Sequence, residues 1–194
     1  MIGTLAGVLA FKSPPHLLLE VGGIGYEVEA PMSTFYSLPA VGERIRLLTH
    51  LVVREDAQLL FGFASLPEKT LFRELIKISG VGPKVALAVL SGISVEDYWA
   101  TVRSGETGRL VKLPGIGKKT AERLVLEMRD KAGASTDLLP GNPTVPQGAL
   151  AEARSALASL GYKPVEVQRL TDAVYKDGMS TEAIIQEALK RALR

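Results

Sequence analysis

The feature that most constrains this chain is an internal repeat. Ile78-Ser-Gly-Val-Gly-Pro-Lys-Val-Ala86 returns as Leu113-Pro-Gly-Ile-Gly-Lys-Lys-Thr-Ala121, at an offset of 35 residues. Gly80, Gly82, Lys84 and Ala86 recur as Gly115, Gly117, Lys119 and Ala121; the apolar Ile78 and Val81 recur as Leu113 and Ile116. So dense a match is a built feature. Gly-x-Gly between two helical patterns permits backbone angles that side chains forbid, so the chain can reverse tightly. The next helix then begins with unpaired N–H groups at the positive end of its dipole. A phosphate oxygen fits that end, with Lys84, or Lys118 and Lys119, adding charge beside it. The expected contacts are Gly80, Val81, Gly82, Pro83 and Lys84 in one turn and Gly115, Ile116, Gly117, Lys118 and Lys119 in the other. Val81 and Ile116 are also expected to anchor the turns in the core. Such contacts read a nucleic-acid backbone and not its bases.

Charge agrees with this placement. The net charge of the 194-residue chain is only +2, but it is unevenly divided. Residues 1–64 carry 4 basic and 6 acidic side chains, residues 65–131 carry 12 and 8, and residues 132–194 carry 7 of each. The middle third is where an anionic partner is expected. With no cysteine and only His16 and His50, neither a disulfide nor a metal site is expected. No apolar run approaches the ~20 residues of a membrane span, and Met1–Ala10 does not read as a signal peptide. The expectation is a cytoplasmic protein that needs no cofactor or metal.

The chain reads as α+β and multidomain, in three parts with a tether. Residues 1–64 show short β-rich runs at Ile2–Ala10, His16–Val21, Ile24–Ala30, Arg44–Val53 and Ala57–Phe63. The last two flank Arg54-Glu55-Asp56, as a hairpin with a charged tip would. Such a segment suits an OB-like barrel. Residues 65–131 switch to helical spacing: Ser65-Leu-Pro-Glu68 is a capping box, Thr70–Ile78 follows as a helix, and Ser94-Val-Glu-Asp97 opens another. Lys84–Leu90 and Lys118–Lys131 complete a compact helical domain. Residues 132–148 hold three Pro and three Gly with no apolar period, which reads as a linker. As a flexible coil it would span roughly 23 Å r.m.s.. Residues 149–194 show three amphipathic helices, with Leu150, Ala153, Leu157 and Leu160 on one face of the first. Val167, Leu170 and Val174 are expected inward on the second, and Ile185, Leu189 and Ala192 on the third. A three-helix bundle this small is near the lower limit for independent folding, so exposed apolar residues there point to a partner.

The two turns match the double helix-hairpin-helix pattern, and nearly the whole chain resembles the RuvA family of Holliday-junction-binding subunits. The resemblance runs from Met1-Ile-Gly through Gly22-Gly-Ile-Gly-Tyr-Glu-Val28, Thr49-His-Leu-Val-Val-Arg-Glu-Asp-Ala-Gln-Leu-Leu60 and both hairpins to Leu160-Gly-Tyr-Lys-Pro164. It implies a homotetramer, alone or as paired tetramers, that holds an open four-way junction by the minor-groove side of its arms. By position, the hairpin residues named above would be the DNA contacts, with Arg123 helping one turn on. Glu55 and Asp56 would be an acidic pin at the crossover. The C-terminal part would dock the hexameric ATPase RuvB through residues such as Leu157, Leu160 and Tyr162, and the resolvase RuvC is a further implied partner. The chain itself is then expected to be non-catalytic.

Other readings remain open on the residues alone. A repair nuclease or lyase would need clustered carboxylates or an activated lysine; Glu55-Asp56 and Lys119 with Glu122 are the nearest approaches. Gly117-Lys-Lys-Thr120 resembles the end of a P-loop, but the residue five before Gly117 is Lys112, not glycine. A single-strand binder would draw stacking platforms from Phe11, Tyr26, Phe35, Tyr36, Phe61 and Phe63. The last third, by itself, also reads as a ubiquitin-associated-like module.

Overall fold

A computed structural model describes residues 1–134, 148–176 and 178–192, with side chains through Arg129 in the first stretch. Its contacts form two compact units, Met1–Pro140 and Gly141–Arg194. Of the expected linker, residues 135–147 lie outside the described residues, and residues 132–134 continue the preceding helix.

The first unit starts as a closed five-strand barrel. Strands β1 (Thr4–Ser13), β2 (His16–Val21), β3 (Ile24–Glu29), β4 (Arg44–Val53) and β5 (Gln58–Phe63) close in the order β1-β2-β3-β5-β4. All pairs are antiparallel except β3 with β5, which meet at Glu29 and Phe61. Inward residues Leu5, Leu9, Leu17, Leu19, Val28, Leu47 and Leu60 fill the interior. A short helix, α1 (Met32–Ser37), crosses between β3 and β4. Its Ser- and Thr-rich sequence has weak helical propensity. Tertiary bonds hold it instead: the Met32 N–H donates to Ser91 Oγ at 3.0 Å, and Thr34 Oγ1 accepts the Ala64 N–H at 3.1 Å.

The helices follow as α2 (Leu66–Leu75), α3 (Pro83–Gly92), α4 (Val95–Ser104), α5 (Thr107–Val111) and α6 (Lys118–Ala134). The capping box forms as expected: Ser65 Oγ accepts the Glu68 N–H, and Glu68 accepts the Ser65 N–H. Ser94 caps α4 in the same way, taking the Asp97 N–H at 3.0 Å.

β5 joins the two halves of this unit. Successive strand residues face opposite ways, so Leu60 points into the barrel while Leu59, Phe61 and Phe63 pack on the helical core. Phe72 of α2 receives them, with ring centroids 4.9 Å from both Phe61 and Phe63. Both phenylalanines are buried, as is Phe35, so half of the candidate stacking platforms are closed to a nucleic-acid base.

The second unit holds α7 (Ala149–Ser159), α8 (Pro164–Asp172) and α9 (Thr181–Ala192). Leu157, Val167, Leu170 and Ala188 form its centre. On α9 the buried residues are Ile184 and Ala188, whereas Ile185 and Leu189 are only partly covered and Ala192 is exposed. The inward face is thus turned by one residue towards Ile184 and Ala188, with Ile185 and Leu189 at its edge and Ala192 outside it.

Two predictions follow from this packing. The His50 ring meets Phe72 edge-on at 5.8 Å; burial first, then the nearby Arg73 and Lys69 cations, hold its pKa below the ordinary 6.5. Protonation thus favours the unfolded chain. The stability this site contributes is complete above pH 6.5 and is lost as pH falls towards the lowered folded-state value. Chemical denaturation from pH 7.5 to 5 should show His50→Gln with a shallower loss than the parent. Tyr98 is fully buried, and its hydroxyl has no hydrogen-bond partner among the described residues; burial raises its pKa far above the usual phenol value. Tyr98→Phe removes an unpaired polar group, so thermal melting should show unchanged stability or a gain of about 1 kcal/mol.

Candidate nucleic-acid interface

The repeat in sequence becomes a repeat of hydrogen bonds. In the first hairpin, between α2 and α3, the Ile78 N–H donates to Leu75 O at 3.0 Å and the Val81 N–H to Ile78 O at 3.0 Å. In the second, between α5 and α6, Leu113 donates to Leu110 O at 3.0 Å and Ile116 to Leu113 O at 3.2 Å. The first intrahelical bonds also match: Ala86 to Gly82 O at 3.0 Å, and Ala121 to Gly117 O at 2.9 Å. Gly80 and Gly115 reverse the chain at φ +84° and +77°, where a side chain would be strained.

Val81 and Ile116 are each 4% exposed and plug their turns into one shared core. Their amides are committed within the turns, so neither offers a donor to a phosphate, and both drop from the expected contacts to the role of anchors. Pro83 also lacks a donor; its part is to begin α3 with φ preset. The amides that precede the first intrahelical bonds belong to Gly82, Lys84 and Val85 in one hairpin and to Gly117, Lys118, Lys119 and Thr120 in the other. The second hairpin therefore brings one more N–H and one more lysine. Lys84, Lys118 and Lys119 are all exposed.

Gly82 and Gly117 differ from the turn glycines. Neither has a positive φ, and a Cβ built on either meets nothing within 4 Å. The fold does not need glycine there. The space above these two amide groups is open to something outside the chain, and a phosphate is the group that such an arrangement takes.

Arg123 lies one turn along α6, but its Nη1 donates to Ser79 O at 2.8 Å. It reaches the first hairpin from the second, a bond that sequence spacing does not reveal. Glu55 and Asp56 stand exposed at the tip of the β4–β5 hairpin, which the Arg54 N–H closes by donating to Ala57 O at 2.8 Å. Below the tip, Val52 and Leu59 pack against the helical core, so the acidic loop is supported from the side of the hairpins.

In the second unit, Leu157 is fully buried and cannot dock a partner. Leu160, expected on the same inward face, is 62% exposed, because α7 ends at Ser159 and Gly161, at φ +96°, turns the chain away. Val165, five residues on from Leu160 at the start of α8, is 82% exposed. Tyr162 is half-buried against the centre of the unit.

Among the described residues no three His, Asp or Glu side chains converge as a metal site would require, and no single helix is long and apolar enough to cross a membrane. Comparison with known proteins covers almost the entire chain. Residues 1–62 match the family model described as RuvA N terminal domain, residues 72–130 the SAM-like helix-hairpin-helix tandem, and residues 148–193 the RuvA C-terminal domain. The chain is 52% identical over 198 residues to a protein of Stutzerimonas stutzeri, with 98% of each chain covered. It is 53% identical over 204 residues to one of Cronobacter sakazakii, covering 100% of both, and 52% identical over 201 residues to one of Vibrio cholerae, covering 98% of both. Each of those proteins is named Holliday junction branch migration complex subunit RuvA.

The open glycines separate binding from folding. Gly82→Ala and Gly117→Ala should each cost no more than about 1 kcal/mol of stability, as an alanine at a helix start does. Each should still weaken binding to four-way junction DNA at least about tenfold, by blocking phosphate approach. Gly80→Ala should instead lose about 1–2 kcal/mol of stability through its forced φ. Thermal melts paired with gel shifts distinguish the two classes.

Proposed function

The chain belongs to the RuvA family, and we propose that it is the non-catalytic, DNA-holding subunit of a branch-migration complex, binding four-way junctions and working with the RuvB ATPase. The observation that carries this reading is the pair of matched hairpins, each presenting open amides above a glycine that the fold itself does not require. Two such grips in the basic third of the chain suit the backbone of a duplex arm and read no sequence. The contacts are Gly82 and Lys84 in one hairpin and Gly117, Lys118 and Lys119 in the other, with Gly80 and Gly115 shaping the turns.

A four-fold assembly through the barrel would set these grips on four arms, and a second tetramer could face it across the junction. The same symmetry gathers eight carboxylates, Glu55 and Asp56 from each chain, at the crossover. Carboxylates near phosphates repel them, which keeps strands apart and stops the protein from locking one junction position. The second unit docks the ATPase through Leu160 and Val165, with Tyr162 at the edge, and the Pro/Gly composition of residues 135–147 suits a tether between motor and grip. RuvC resolvase is a further partner of this assembly, which works in the cytoplasm.

The test compares a four-way junction with linear duplex of equal length in gel shifts, with native mass on the complex. Preference for the junction by more than about tenfold and a mass of four or eight chains are expected; equal affinity would reduce the protein to a generic duplex binder. Reversing Glu55 and Asp56 to Lys should tighten junction binding and slow RuvB-driven migration, and no change in either would remove the pin from the mechanism.

A further inference from the structure

The Arg123 guanidinium has a partner inside the protein. Its Nη1, on α6, donates to the carbonyl of Ser79 across 44 residues of sequence. Ser79 immediately precedes Gly80, and a Cβ built on Gly80 would lie 3.6 Å from the same Nη1. The first hairpin's turn therefore lies against the second hairpin's helix. The converse contact exists too: a Cβ built on Gly115 would lie 3.9 Å from Cγ2 of Val85, on α3. Each turn lies against the other hairpin's second helix.

The two seams differ chemically. With the 35-residue offset, the position matching Arg123 is Ala88, and that matching Val85 is Thr120. One seam is an apolar contact from a half-buried valine; the other is a single charge-assisted hydrogen bond at the surface. The second turn has no matching side-chain bond at the equivalent place, since alanine at position 88 carries no donor. We propose that Arg123 is a positioning residue for DNA holding: its bond to Ser79 O fixes the first hairpin at a set distance from the second, so that two amide cradles meet two backbone phosphates at the right spacing. This rests on the phosphate reading of the hairpins given above. Two linked grips reinforce each other only when their separation matches the ligand, and a turn ordered in advance spares binding the cost of ordering it. The bond to Ser79 O engages the guanidinium inside the protein, in place of a phosphate.

The test uses the full chain with Arg123→Ala and Arg123→Lys, beside Lys119→Ala. Amide hydrogen exchange is read without DNA at Val81 and Ala86, whose N–H groups bond Ile78 O and Gly82 O, and at their counterparts Ile116 and Ala121. Junction affinity is read as a function of salt. Arg123→Ala should speed exchange at Val81 and Ala86 severalfold and leave Ile116 and Ala121 as they were. It should lower junction affinity about tenfold, the loss expected for one charge-assisted bond, without changing the salt slope. Lys119→Ala should reduce that slope by about 0.9, as loss of a phosphate contact does. Arg123→Lys, which keeps the charge and a shorter donor, should fall between Ala and the parent. A slope loss of about one with unaltered exchange would make Arg123 a phosphate contact and overturn the proposal. Equal acceleration in both hairpins would make it a general stabiliser, and no change in either readout would make it a bystander; both overturn it as well. If Lys119→Ala binds like the parent, the phosphate reading fails, while the exchange data still decide the brace.

Discussion

The first unit depends on one strand buried on both faces. β5 gives Leu60 to the barrel interior and Phe61 and Phe63 to the helical core, where Phe72 sits 4.9 Å from each ring. Aromatic pairs at that spacing contribute about 1 kcal/mol each beyond the area they cover. A barrel and a helical region that share one strand are packed as a single unit, and Val52 and Leu59 tie the base of the acidic hairpin to the helical core. The bonds from α1 to Ser91 and Ala64 close the same seam from its polar side.

Upon that frame, the hairpins separate residues committed to the fold from residues left open to solvent. Gly80 and Gly115 turn the chain, Val81 and Ile116 seat the turns, and their amides are consumed locally. Only afterwards do open amides appear, at Gly82 and Gly117 and the helix starts beyond them. In the proposed phosphate grip, backbone donors and the helix dipole would face the anion, with the lysines adding charge beside it. The hairpins offer unequal donors, because Pro83 lacks an N–H where Lys118 has both an N–H and a charge.

How much of this was legible in the sequence varied with the range of the interaction. Caps are local, and Ser65 and Ser94 cap the helices where their spacing placed them. β2 and β4 begin and end at the residues that branched runs marked. The short α1 and α5 were not visible, since six and five residues carry too few turns for a periodic signal. Leu157 and Leu160 looked equivalent on a helical face, yet one is core and the other exposed, because the helix stops between them. Val165 lies off the Val167–Leu170–Val174 face, and the structure leaves it exposed.

The sequence by itself determined the two turns and their chemistry. Positive-φ glycines, an apolar plug and a lysine at a helix start act within a few residues of one another, so spacing alone specifies them. It also determined the charge division and the β–α–α order of the parts. Tertiary structure alone decided that the barrel interior and the helical core share strand β5, that Arg123 reaches Ser79, and which apolar residues of the last helices remain uncovered. Those outcomes depend on which surfaces meet in space, and a side chain 44 residues away leaves no periodic trace in the chain that it touches.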